Sequence, residues 1–219
     1  MRKRAPTAFA LLAALAICTP DNLSADAPSE AAFVSAEDGT LVHLGSGLRF
    51  PSQVADFRRS EAAAFAENGD YVGLEYRRVL SIDGELTIRI AVVTLPGLSA
   101  REHYVITRPL MLQGLEDSRP VAEGVFRRVA GSEAYRGLFT GEVGGVPWMR
   151  GLWTFEHGDW DLRVRADFPR IDQVQADEAV AAFVTALNAL NAQEWSRDAA
   201  DTANDGAAQG RRPGSTHAG

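Results

Sequence analysis

Thiol chemistry is nearly missing from this chain. One cysteine, Cys18, occurs in 219 residues, and it sits in the apolar N-terminal segment. Past that point no disulfide, thiolate metal ligand or cysteine nucleophile can form. Lysine is as scarce: Lys3 is followed by no other, and all later basic residues are arginine. The four histidines are His43, His103, His157 and His217, and no two share a helix face at metal-ligand spacing. No His-Glu-x-x-His run is present, and Asp201 to Gly206 lacks the alternating acids and closing glutamate of a calcium loop. Serine hydrolase chemistry needs a nucleophile on a sharp turn. Ser46 between Gly45 and Gly47, and Ser132 after Gly131, lack that frame and read as turn residues. Gly141, Gly144 and Gly145 are wrongly spaced for a phosphate loop. The sequence therefore assigns no catalytic residue, no metal ligand and no cofactor, and the expectation is a non-enzyme.

An excess of positive charge is absent as well. The formal net charge is −7, which argues against nucleic acid or an anionic lipid surface as partner. No apolar run reaches the 18 or so residues needed to cross a bilayer as a helix.

What is present begins at the N-terminus. Arg2, Lys3 and Arg4 precede an apolar run from Ala8 to Ile17, then Pro20 and Asn22, then Leu23-Ser24-Ala25. This is the pattern of a signal peptide, residues 1–25, removed after Ala25. Ile17 just before Cys18 is bulkier than lipid attachment at a bacterial cysteine requires, so an unanchored exported chain is expected, periplasmic or extracellular. Residues 26–47 are rich in Ala, Ser, Gly and acids and read as a poorly ordered linker, with a short strand at Leu41 to Leu44. Residues 196–219 are apolar only in alanine and read as a disordered tail. One domain, 48–195, remains.

Hairpins organise that domain. Tyr71 to Leu80 and Glu85 to Leu95 flank Ile82-Asp83-Gly84. A three-residue loop sets Tyr76 against Ile90 and Leu74 against Val92. Ala134 to Glu142 and Val146 to Phe155 flank Val143-Gly144-Gly145, and the same loop length sets Phe139 against Met149 and Tyr135 against Trp153. A two-residue turn at Gly158-Asp159 sets Phe155 against Leu162, Trp153 against Val164 and Met149 against Phe168. Arg150 then opposes Asp167 and Thr154 opposes Arg163 on a face expected to be wet. Gly124 to Ala130 and Val54 to Ala64 are further strand candidates. Ser99 with Glu102 forms a capping box for a helix that Pro109 should split into Ala100 to Ile106 and Leu110 to Glu116. Asp172 with Gln175 begins a last helix with an apolar stripe of Val180, Phe183, Val184, Leu187 and Leu190. The fold class is α+β: a mainly antiparallel sheet packed with two or three helices.

Several stretches carry a resemblance. They are Leu48-Arg49-Phe50-Pro51, Ala134-Tyr135-Arg136-Gly137 and Asp159-Trp160-Asp161-Leu162-Arg163-Val164-Arg165-Ala166, with a helix between the hairpins and one at the end. Their order is similar to the PsbP-like sandwich, including exported DcrB-type proteins of bacteria, over residues 48–192. The resemblance implies a non-catalytic module that binds a protein or cell-envelope partner, and it brings no functional residues with it.

Three residues stand out as contact candidates. Arg78 falls on the apolar face between Tyr76 and Leu80, where an arginine needs a carboxylate or an open rim. Trp148 has the opposite parity to Trp153 and is expected to be exposed. His157 neighbours the Gly158-Asp159 turn, beside Trp160. Arg150, Arg163, Arg165, Asp161 and Asp167 read together as a solvated charge ladder. The alternative to a partner-binding domain is a small-ligand or hydrolytic site at the end of the sheet, built from His157, Arg78 and nearby acids.

Overall fold

The structure is a computed structural model. It describes residues 32–80, 84–129 and 132–209, with side chains left undescribed at 126–133 and from 192 onward. The expected signal segment, the tip of the first hairpin at 81–83 and residues 210–219 lie outside the described residues.

Among the described residues, two sheets and two helices form the fold. A small sheet joins β1 (Phe33–Ser35), β2 (Leu41–His43) and β3 (Arg49–Phe50). The main sheet comprises β4 (Gln53–Val54), β5 (Phe57–Ala64), β6 (Tyr71–Val79), β7 (Glu85–Thr94), β8 (Glu116–Val129), β9 (Ser132–Val143), β10 (Val146–His157) and β11 (Trp160–Pro169). Its order is β4-β5-β6-β7-β11-β10-β9-β8, and every pairing is antiparallel. Two meanders thus meet at the β7–β11 ladder. Helix α1 (Ala100–Met111) carries the chain from β7 to the far edge, and α2 (Gln173–Gln209) follows β11 after a 3-10 turn. The α+β class with an antiparallel sheet is the architecture observed. Within the stretch read as linker, Phe33, Leu41 and His43 are buried. The last helix continues into the stretch read as tail.

Alternation sorts the side chains between two helices. Even-numbered residues of β6, β7 and β11 and odd-numbered ones of β10 face α2. Leu74, Tyr76, Ile88, Val164 and Phe168 meet Val180, Phe183, Val184 and Leu187 there, all at most 2% exposed. Phe183 sits edge-on to both Phe57 and Tyr76. Asn191 ties the helix to β3: its Oδ1 accepts from Arg49 N at 2.8 Å and its Nδ2 donates to Arg49 O. On the other face a smaller cluster joins Tyr104, Met111 and Leu115 to Phe139 and Leu152.

The Gly158-Asp159 hairpin has the expected register throughout. The other two differ. In the first, Val79 pairs with Glu85, so Tyr76 opposes Ile88 and Leu74 opposes Ile90. The slip is two residues; the apolar face is kept, because a period-two pattern is blind to even shifts. In the second, Val143 pairs with Val146 around a two-residue turn in which Gly144 and Gly145 both have positive φ, 57° and 78°. That turn matches strand twist and favours two glycines. The slip of one residue flips β9: Phe139 opposes Arg150 and faces α1, while Thr140 opposes Met149.

Pro109 does not split the helix, which runs unbroken to Met111. Proline removes one hydrogen bond, to the Val105 carbonyl. Both residues are exposed, so water can serve that carbonyl. The Ser99–Glu102 capping box forms as expected. Asp172 lies within the 3-10 turn Arg170–Asp172 that precedes α2.

Candidate functional site

The face expected to be wet lies under α1. Arg150, Asp161, Arg163, Arg165 and Asp167 are each at most 9% exposed. The sequence pattern could not show this, because charged alternation reads as solvent-facing unless a crossing helix is known.

Strand β10 positions that helix at both ends. Ala100 N donates to Glu156 Oε1 at 2.7 Å, and Thr154 Oγ1 donates to Ala100 O at 2.7 Å. At the other end Arg150 Nη1 donates to Met111 O at 2.6 Å and Gln113 O at 3.0 Å. A carboxylate at the helix N-terminus and a guanidinium at its C-terminus both complement the macrodipole.

Arg150 is also the edge of a charge network. Asp167 accepts from Arg150 Nε, from Arg165 Nε at 2.6 Å and from Arg89 Nη1 at 3.4 Å. Burial pushes the Asp167 carboxyl up, but Arg165 and Arg150 outweigh it and hold it below the usual carboxylate range. Burial likewise lowers Arg165, against the pull of Asp167. Glu75, 2% exposed, accepts from Arg77 Nε at 2.6 Å and Arg89 Nε at 2.9 Å. Nearer the helix N-terminus, His103 Nδ1 lies 3.2 Å from Asp161 Oδ1, both side chains at most 2% exposed. The approach is off the line a hydrogen bond needs, and both His103 nitrogens and Asp161 Oδ1 lack hydrogen-bond partners among the described residues. Toward β8, Tyr104 Oη donates to Glu123, which also accepts from Arg108 Nε at 2.7 Å. Burial leads in raising the Tyr104 hydroxyl, helped by Glu123.

The residues singled out from sequence are not brought together. Arg78 opposes Leu86 on the α2 face, and its Nη2 lies 3.5 Å from Asp56 Oδ2 at the rim. Trp148 is partly buried and packs against the smaller cluster rather than standing free. His157 opposes Trp160, which opposes Thr94. Leu86 and Thr94 stand eight residues apart on β7, so Arg78 and His157 are separated by about 26 Å along the sheet. A single small-ligand site cannot use both.

His157 Nε2 bonds the Ser46 carbonyl at 2.8 Å. Ser46 Oγ lies 2.8 Å from His43 Nδ1, and His43 Nε2 lies 3.0 Å from Gly69 O. Burial lowers both histidines, favouring neutral rings. A hydroxyl on a neutral imidazole has the outline of a nucleophile and its base. Here, however, Ser46 Oγ also accepts from Leu48 N, and His43 Nδ1 also accepts from Ser46 N. These bonds close the β2–β3 turn. The ring stacked edge-on to Trp160 is His43, at 4.8 Å. Sequence reasoning passed over His43, which has no motif around it.

Outside α1, Val105 is 59% and Ile106 37% exposed. With Leu98, Ser99, Arg101 and Glu102 they line an open depression of about 550 Å³. No group of three His, Cys, Asp or Glu side chains among the described residues is placed to hold a metal. No helix among the described residues is long and apolar enough to cross a membrane.

No protein-family model and no curated protein matches the chain, so the PsbP-like order remains a resemblance. In three dimensions the chain is similar to PA94 of Pseudomonas aeruginosa, described as a protein of unknown function and putative regulator. That pair has 13% identity and a TM-score of 0.41, over 61% of this chain and 84% of the other. It is also similar to LpqN of Mycobacterium tuberculosis, described as involved in cell envelope biogenesis. Here the identity is 12% and the TM-score 0.44, over 60% of this chain and 77% of that one. Likeness of this size transfers no activity.

Proposed function

We propose that the chain is an exported, non-catalytic domain that binds a protein or cell-envelope partner, with the outer face of α1 as its contact surface. One observation carries this reading. The helix is clamped at both ends by β10, so Val105 and Ile106 are held on a rigid support while pointing away from the core. Apolar side chains fixed in that way, flanked by Arg101 and Glu102, make a low-entropy anchor for a partner's apolar side chain. The polar groups that most resemble catalytic machinery are engaged elsewhere, in closing a turn and in pinning the helix.

Photo-cross-linking in the producing cell tests the reading. A photoreactive residue at Val105 should yield a discrete adduct, and one at the exposed Arg58 on β5 should not. No adduct from 105, or the same adducts from both positions, would overturn it.

A further inference from the structure

The charges beneath α1 do not all find partners. Arg77, Arg89, Arg150 and Arg165 share Glu75 and Asp167. Arg163 is left over. It lies on β11 between Asp161 and Arg165, opposite Ala91 on β7 and Thr154 on β10. It is 7% exposed, yet among the described residues it makes no hydrogen bond, ion pair or ring contact. A buried guanidinium with no counter-ion is costly, and native interiors supply it with a partner. Its nitrogens are not among the polar atoms sealed from solvent, so the tip reaches the edge of the layer.

The neighbouring groups have capacity to spare as well. His103 Nδ1 and Nε2 and Asp161 Oδ1 are buried without hydrogen-bond partners, while Asp167, six residues further along β11, takes three arginines. Arg165 and Arg89 oppose each other across β11 and β7, two pairs along from Arg163 and Ala91 and on the same face. They raise the local positive potential within a chain whose net charge is −7.

We propose that Arg163 anchors an oxyanion site between the β7–β11 ladder and α1, taking one carboxylate or phosphoryl group. The planar fork of arginine presents paired donors to either group, and partial burial strengthens the contact. Asp161 nearby and the shared Asp167 cap the positive charge, so the site suits one small anionic group and not a polyanion. This goes beyond the partner reading and does not depend on it.

Thermal unfolding of the purified chain tests it, with sodium phosphate and sodium acetate as probes against sodium chloride at matched ionic strength. An anion held at about one hundred times its dissociation constant should raise Tm by roughly 5–10 °C. A response to either probe supports the site and tells phosphoryl from carboxylate preference. Arg163→Met should abolish the response without lowering the basal Tm, since it removes an unpaired buried charge. Arg78→Met, on the opposite face, should keep the response. No shift with either anion, or a shift that survives Arg163→Met, would overturn the proposal. So would an Arg163→Met chain that fails to fold, because it would reveal an internal partner.

Discussion

Glu156 and Arg150 stand six residues apart on β10 and hold opposite ends of the same helix. Six strand residues span about 20 Å, and the twelve residues of α1 span about 18 Å, so strand and helix match in length. The two anchors should differ in weight. Glu156→Ala removes one acceptor at a helix N-terminus and should cost about 1 kcal/mol, while Glu156→Gln keeps the acceptor and costs less. Arg150→Met breaks a buried ion pair and orphans two carbonyls, and should cost about 3 kcal/mol. Urea unfolding gives the ranking. Hydrogen exchange in the first turn of α1 should rise in Glu156→Ala and stay unchanged in Glu156→Gln.

Gly137 should not tolerate a side chain. A Cβ there would stand 2.0 Å from Tyr104 Oη and 2.7 Å from the Phe139 ring. Gly137→Ala should cost about 2 kcal/mol, by driving Tyr104 off Glu123. Tyr104→Phe alone should cost about 1 kcal/mol for the lost hydrogen bond. The double variant should be more stable than the sum of the two by at least about 0.5 kcal/mol, because the clashing hydroxyl is gone. Simple additivity in a double-mutant cycle would refute the contact.

Acid should weaken the fold in two steps. His43 and His157 are lowered in the folded chain by burial. Unfolded histidine titrates near about 6.5, so their contribution is complete above that pH and is lost as pH falls through the lower folded values. Asp167 is also lowered in the folded state, and its contribution persists above about pH 3.9 and disappears below it. Urea midpoints from pH 8 down to pH 3 should show the first decline, and His43→Gln with His157→Gln should flatten it. A midpoint that rises between pH 7 and pH 5 would contradict the first assignment.

Local signals were legible where one physical requirement ruled. The Gly158-Asp159 register followed from apolar pairing on one face and charge pairing on the other, and both agreed. The stripe of Val180, Phe183, Val184 and Leu187 followed from helical period and is buried, while Leu190 at its end is only partly covered. The Gly144-Gly145 hairpin failed because the apolar match of Phe139 to Met149 favours a three-residue loop, whereas Phe139 in fact opposes Arg150 and finds its apolar neighbours under α1. The conformational demand of two positive-φ glycines decides the register. The interior charges failed for a longer-range reason. Asp167 and Arg150 alternate as solvent-facing residues do, and only the path of α1 over β10 seals them from water. The same limit hid the roles of Glu156, His103 and Asn191, each of which depends on an element distant in sequence.

The β7–β11 ladder has its own bearing on how the chain assembles. Each meander zips up between neighbours in sequence, but Val92 and Leu162 must find one another across everything from α1 to β10. Closing that long excursion carries the largest entropic toll of any strand pairing in the main sheet, so the seam between the halves should set the folding rate. An early helix clasped by its own hairpin shortens the search, because it delivers β11 as a preformed edge to a waiting sheet.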